Sequence, residues 1–224
     1  MLIHALESNK YIYAASDVTN FKIIRENCNL EMVVSVHVDN TAGTVSMTLG
    51  SLLDKFLEDP SERKNIYNCV NIDFTFTELG KIFKSPDFVI KNYLVINNWP
   101  DIYKISQIYD INEYGVYNEL HFPMSHQVYT ISAKYAFSDF HIDFSGVNVW
   151  VTLLKGKKVW WLAPPTPENI SLCESYLKDP SALKDIVMEL VENYCRITLT
   201  AGQSLLLPSG WLHAVLTLED SLMI

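Results

Sequence analysis

The sequence predicts a mainly β fold with flanking helices, and two observations carry that expectation. From Val128 onward, short runs rich in β-branched and aromatic residues recur at 128–137, 140–144, 147–154, 159–163, 195–199, 204–207 and 211–216. Gly156 and Gly202 fall between neighbouring runs, where each marks a tight hairpin turn. Many short strands joined by hairpins suggest a barrel or a sandwich, and the mouth of a barrel is a usual place for a small ligand.

The remaining elements follow in order. The β-branched run 32–38 reads as a strand, and 49–57 as a short amphipathic helix ended by Asp59-Pro60. Charged residues 58–64 read as a surface loop. Residues 68–74 alternate like a strand, and 76–99 carry apolar residues at helical spacing around a break at Ser85-Pro86. Thr166-Pro167 is a helix start with proline in the first turn, and 183–191 again has helical spacing. The expected organisation is a mixed α/β part, 1–127, packing on a β core, 128–224, with a helical insertion at about 166–193.

At 224 residues the chain can bury a sizeable core as one domain, and 49% apolar with 19% charged residues is a globular balance. A net charge of -9 argues against a general nucleic-acid binder; ordinary solubility is the first explanation of it, and it would also suit a basic partner such as a lysine-rich peptide. Cys28, Cys69, Cys173 and Cys195 are far apart and form no Cys-x-x-Cys pair, so a reducing compartment is expected. No uninterrupted apolar span or secretory pattern is evident, and the chain reads as soluble and intracellular, with no membrane partner.

The chemistry centres on His141-Ile142-Asp143 and on His213, which follows the turn signal Pro208-Ser209-Gly210. In 139–144 polar and apolar residues alternate, so a strand there aims His141 and Asp143 to one side. A second strand can present His213 opposite them. Two histidines and one carboxylate form the ligand set that holds non-haem Fe(II) and leaves positions open for a co-substrate and oxygen. A bare His-x-Asp is weak evidence and is better explained by a half-buried histidine bonded to an acid; the surrounding motifs change that balance. His4, His37, His121 and His126 have no partners at ligand spacing and read as structural or surface residues.

Those motifs are Ser138-Asp139-Phe140-His141-Ile142-Asp143-Phe144-Ser145-Gly146, Val149-Trp150, Leu154-Lys155-Gly156-Lys157-Lys158 and Pro164-Pro165-Thr166. They resume at Ala201-Gly202-Gln203 and Pro208-Ser209-Gly210-Trp211-Leu212-His213-Ala214-Val215, with weaker matches at Tyr67-Asn68 and Asn98-Trp99-Pro100. In this order they resemble the JmjC-domain Fe(II)/2-oxoglutarate-dependent oxygenases, and within them the histone lysine demethylases of the F-box and PHD-finger-associated branch.

The resemblance implies a double-stranded β-helix, the jelly-roll or cupin-like JmjC fold. It implies Fe(II) held by His141, Asp143 and His213 as the catalytic centre, with 2-oxoglutarate as co-substrate and O2 as oxidant. Lys158 matches the lysine that pairs with the distal carboxylate of 2-oxoglutarate, Ser138 stands for a threonine that helps bind it, and Asn68 matches an asparagine nearby. Lys155 and Lys157 read as solvated hairpin residues. The implied reaction hydroxylates an N-methyl group of a methylated lysine in a histone tail, releasing formaldehyde and succinate, in chromatin and in the nucleus. Asp139 and aromatic residues near the mouth are candidates to receive the substrate ammonium.

Two departures stand out. Val151 occupies a position where close relatives have tyrosine, which removes a hydroxyl beside 2-oxoglutarate, and Ser145 replaces a glycine. A hydrogen bond to a charged group contributes roughly 1.5 to 3 kcal/mol, so the first loss weakens co-substrate binding by about one to two orders of magnitude. Alternatives to the demethylase are therefore a catalytically weak JmjC domain acting as a chromatin-binding scaffold, and a hydroxylase of protein side chains. A general cupin holding another divalent metal is a further option, which Lys158 disfavours. The family places a further strand after the second histidine, and the chain, stopping at Ile224, is expected to lack it.

Overall fold

The computed structural model describes residues 6–7, 21–75, 77–83, 85–101, 127–179 and 187–224. Among them, ten strands pair antiparallel into a jelly-roll, cupin-like β fold. In chain order they are β1 (Leu6–Glu7), β2 (Val33–Val38), β3 (Thr44–Thr48), β4 (Tyr67–Asp73), β5 (Val128–Ser132), β6 (Phe137–His141), β7 (Val149–Ala163), β8 (Cys195–Thr200), β9 (Gln203–Leu207) and β10 (Leu212–Met223). The main path runs β1-β9-β7-β10-β5-β4-β2-β3, with β6 added on β10 and β8 on β7. The N-terminal strands β2 to β4 thus extend the sheet that carries the C-terminal ones.

The helices are short: α1 (Lys22–Asn27), α2 (Leu49–Leu57), α3 (Glu78–Ile82), α4 (Asp87–Asn92), α5 (Leu94–Asn98), α6 (Pro167–Lys178) and α7 (Val187–Leu190). α2 forms because the Thr48 hydroxyl caps the Ser51 amide and Leu49, Leu52, Leu53 and Phe56 recur on one face, which is buried. With α1 and α3 it covers β2, β4 and β5 in one apolar cluster. In α6, Thr166 caps Asn169 at 3.1 Å and Pro167 opens the first turn. Buried Asn169 donates to the carbonyls of Pro164 and Glu192 and accepts from the Glu192 amide, so one side chain ties the start of the insertion to its end. No helix among the described residues is long and apolar enough to cross a membrane.

A second cluster gathers Val151, Leu205 and Leu207, from the paired segments of β7 and β9, with Trp160, Leu162, Leu199 and Val215 of β7, β8 and β10. On the opposite face of β7 and β10, Ala163, Leu212 and Ala214 pack under Cys173 of α6 and Val191. β7 and β10 are therefore covered on both faces, which explains why they read as near-continuous apolar runs.

Several sequence expectations are corrected. The run 128–137 is two strands, β5 and β6, separated by a turn in which Tyr135 adopts φ +71°. The runs 147–154 and 159–163 fuse into the single strand β7, so Gly156 is not a hairpin turn. It sits mid-strand at φ +87°, where an added Cβ would lie 2.4 Å from the Asp220 carbonyl oxygen. Glycine is needed there for close backbone approach at a register shift in the β7–β10 ladder. Asp220 cannot retreat easily, because its carboxylate is held by buried Arg63 and by the Lys134 amide. Gly202 does turn the chain, at φ +88°, but β8 and β9 then each pair with β7 rather than forming the expected hairpin. Lys155 and Lys157 belong to β7 and are half-buried, not solvated turn residues. The strand expected over 140–144 ends at His141, and 144–146 form a 3-10 turn.

α1, β1 and β3 carried no sequence signal strong enough to predict them, and β10 continues past residue 216 through a polar stretch because 221–223 pair with β5. Of the helix expected over 183–191, only Val187–Leu190 lies within the described residues. Substituting Gly156→Ala combines a left-handed backbone with a clash against backbone. Urea unfolding is expected to show a loss of about 2–4 kcal/mol, with Gly202→Ala, which meets open space, losing less.

Candidate metal centre and adjoining cation

The end of β6 and the start of β10 build the site. These strands pair directly, with His213 opposite His141. The two imidazole rings lie 4.1 Å apart at an interplanar angle of 50°. Asp143 follows the end of β6 and caps the 3-10 turn, so its approach is set by that turn and not by strand alternation. Its Oδ1 lies 3.8 Å from His141 Nε2 and 3.9 Å from His213 Nε2. One ligand atom from each of the three falls within 4.8 Å of the others, a span that one divalent ion can bridge.

Ring orientation is fixed by the backbone. His141 Nδ1 meets the Asp139 carbonyl at 2.7 Å, and His213 Nδ1 meets the Trp211 carbonyl at 3.1 Å. A carbonyl can only accept, so each ring carries its proton on Nδ1 and leaves the Nε2 lone pair facing the cluster. Burial, helped by the neighbouring His141, lowers the His213 pKa to about 4, with Asp143 and the Trp211 carbonyl opposing. His213 is therefore neutral near pH 7 and able to coordinate. The cluster is closed behind His213, whose side chain is 4% exposed, and open at His141 and Asp143, at 40% and 30%.

In the 3-10 turn 144–146 the left-handed φ of +65° falls on Gly146. Asp139 is engaged: its Oδ2 accepts from the Tyr176 hydroxyl at 2.6 Å and its Oδ1 from the Phe140 amide at 2.8 Å. Tyr176 belongs to α6, so the insertion braces the residue whose carbonyl orients His141. The Tyr176 pKa is pushed up to about 12, by burial first and then by Asp139, which keeps the phenol protonated as the donor.

The other candidates form a connected polar network inside the β fold. Lys158, 3% exposed, donates from Nζ to Ser132 Oγ at 2.9 Å and to Thr217 Oγ1 at 3.0 Å. Ser132 Oγ donates to Asn68 Oδ1 at 2.7 Å, and Asn68 Nδ2 reaches Ser138 Oγ at 3.4 Å. Asn68, Ser138 and Lys158 thus come together through Ser132 and Thr217, two residues with no motif of their own. Thr217 lies opposite Lys158 in the β7–β10 ladder and Ser132 opposite Asn68 in the β4–β5 ladder, relations that only strand register reveals. His37 lies apart, with Nδ1 on the Thr41 carbonyl, while His4, His121 and His126 lie outside the described residues.

Among the described residues no carboxylate pairs with Lys158, and burial lowers its pKa to about 7. Its folded value is below the unfolded one of 10.5, so between these values the unfolded chain binds the extra proton and stability rises with pH. Below about pH 7 the full penalty of burying the ammonium remains. Replacing Lys158 by Met is therefore expected to raise the melting temperature of the ligand-free protein at pH 7 and to flatten its rise between pH 7 and 10. A relief of about 1–4 kcal/mol is the expected scale, read by calorimetry across that range.

No family model matches the chain. It is 35% identical over 193 residues to the JmjC domain-containing histone demethylation protein 1 of Caenorhabditis elegans, covering 85% of this chain and 18% of that protein. It is 34% identical over 191 residues to lysine-specific demethylase 2A of Xenopus tropicalis, covering 85% and 16%. It is 31% identical over 211 residues to lysine-specific demethylase phf2 of Danio rerio, covering 94% and 18%. The chain spans less than a fifth of the length of each of these relatives. Over most of its own length, and in a jelly-roll β fold that carries the motifs in register, the chain resembles the JmjC domain-containing histone demethylases.

Proposed function

We propose that the chain is the oxygenase domain of an Fe(II)- and 2-oxoglutarate-dependent histone lysine demethylase. The observation that carries the proposal is a buried ammonium with no carboxylate partner among the described residues, enclosed in the same β fold that gathers His141, Asp143 and His213. An isolated buried charge is costly, and a dicarboxylate entering from the metal side supplies the missing anion. The donor set also fits: two imidazole nitrogens and one carboxylate suit a divalent first-row ion, and their one-sided placement leaves room for co-substrate and oxygen.

His141, Asp143 and His213 would hold the iron. Lys158 would take the distal carboxylate of 2-oxoglutarate, with Ser138 and Asn68 adding hydrogen bonds. When bound, Fe(II), 2-oxoglutarate and O2 supply the oxidation that places a hydroxyl on an N-methyl carbon of the substrate lysine. The carbinolamine then breaks its C–N bond, giving formaldehyde and the demethylated amine, while the keto acid leaves as succinate and carbon dioxide. The chain's own part is orientation and exclusion of water. The Asp139 and Trp211 carbonyls hold the two imidazoles, Trp160 and its apolar neighbours dry the interior, and the open side at His141 and Asp143 admits the peptide. A methylated, lysine-rich histone tail is the substrate class, matching the net charge of -9, and a site of action on chromatin in the nucleus follows from it.

Val151 favours a second reading, a chromatin-binding scaffold of weak activity, because this buried position offers no hydroxyl to the keto acid. The deciding experiment incubates Fe(II)-loaded protein with 2-oxoglutarate and a panel of methylated histone peptides in air, with mass spectrometry of the peptides and a formaldehyde assay. Formaldehyde with demethylated peptide is expected. A hydroxylated peptide that keeps its mass gain, with no formaldehyde, assigns side-chain hydroxylation instead, and peptide binding without turnover assigns the scaffold. His141→Ala is expected to weaken metal binding at least about a hundredfold and to abolish succinate formation with it.

A further inference from the structure

The interior of the β fold holds a second polar group that the network around Lys158 does not use. Trp160 is 3% exposed, and its indole Nε1 is enclosed with no hydrogen-bond partner among the described residues. A buried N–H without an acceptor carries the full desolvation penalty of the group, so its persistence asks for an acceptor that arrives later. The position narrows what that acceptor is. In the β7–β10 ladder, Leu162 faces His213, Trp160 faces Val215 and Lys158 faces Thr217. Alternation puts all six side chains on one face, and each is buried. Trp160 therefore occupies the rung between a candidate metal ligand and the unpaired ammonium. Its ring stacks on His213 at 5.7 Å and 19°, and it packs in the same cluster as Val151.

We infer that the Trp160 indole N–H donates to 2-oxoglutarate in this chain, as a co-substrate-anchoring group next to a position, Val151, that has no donor to give. The inference rests on the proposed keto-acid site, since a ligand reaching from the metal to Lys158 must pass this rung. Its two carboxylates and keto oxygen offer only acceptors, which is what a lone N–H requires. Stacking on His213 adds a second effect: the ligand's anchor and the metal's ligand share one packed unit, so the ring is held in place before the ligand binds.

The test uses the whole chain loaded with diamagnetic Zn(II) in place of iron and isotope-labelled at its five tryptophans. The indole resonance missing from Trp160→Phe identifies Trp160 in the wild-type spectrum. On adding 2-oxoglutarate that resonance is expected to move downfield, as a proton entering a charged hydrogen bond does. Calorimetry is expected to show Trp160→Phe binding 2-oxoglutarate roughly ten- to a hundredfold more weakly, with Zn(II) affinity unchanged, because phenylalanine keeps the ring beside His213. If the wild type binds 2-oxoglutarate, and Lys158→Met does not, while the Trp160 resonance stays put or Trp160→Phe binds equally well, the inference fails and the keto-acid site stands. If the Zn(II)-loaded wild type takes up no 2-oxoglutarate, both fall together.

Discussion

The site depends on one charge that no carboxylate among the described residues pairs. Lys158 is carried into the interior by the alternation of β7, and its partners among the described residues are the hydroxyls of Ser132 and Thr217. Hydroxyls can orient an ammonium but cannot neutralise it, and burial alone accounts for its lowered pKa. Three strands are pinned by this arrangement, since Ser132 lies on β5, Lys158 on β7 and Thr217 on β10. Asn68 on β4 and Ser138 on β6 continue the chain of hydrogen bonds from Ser132. A core built for stability alone would place an apolar side chain at this position. On the proposed reading, its retention trades stability for a place to receive an anion, a conflict between local and global preference of the kind expected at functional sites.

The metal side is built on the opposite principle. His141 and His213 are held by backbone carbonyls, so their tautomers follow from the fold rather than from other side chains. The fold is braced in turn: Tyr176 reaches from α6 to Asp139, and Asn169 closes the insertion on itself. The helical insertion is thereby part of the machinery that sets the His141 ring. In the sequence it looked like an interruption between two strands.

What the sequence disclosed and what it hid divide along a physical line. Local signals read well: the face of α2, the Thr166-Pro167 start of α6, and the strands at 32–38 and 68–74 all depend on residues near one another in the chain. The His141, Asp143 and His213 cluster was legible because its spacing is a chemical pattern, and Lys158 because a motif surrounds it. Gly156 was misread because glycine serves both a turn and a close backbone approach, and only Asp220, far along the chain, distinguishes them. Asp139 looked available for substrate until Tyr176, in another element, took its carboxylate. Ser132, Thr217 and Trp160 were silent for the same reason: their roles are set by register across strands, which no single segment encodes.

Charge balance joins the two halves of the site. Asp143 lies at the histidine cluster and Lys158 deeper in the β fold, and the two do not form an ion pair. A divalent cation at the histidine cluster leaves that end positive, and the ammonium leaves the other end positive as well. A dicarboxylate would, on the proposed reading, offset both charges. On the proposed reading, metal and keto acid must therefore favour each other's binding, since each reduces the electrostatic penalty the other meets in a medium of low polarity. On the same reading, the hydroxyl missing at Val151 would weaken the hold on the keto acid, whereas the metal and Lys158 would supply the larger attraction.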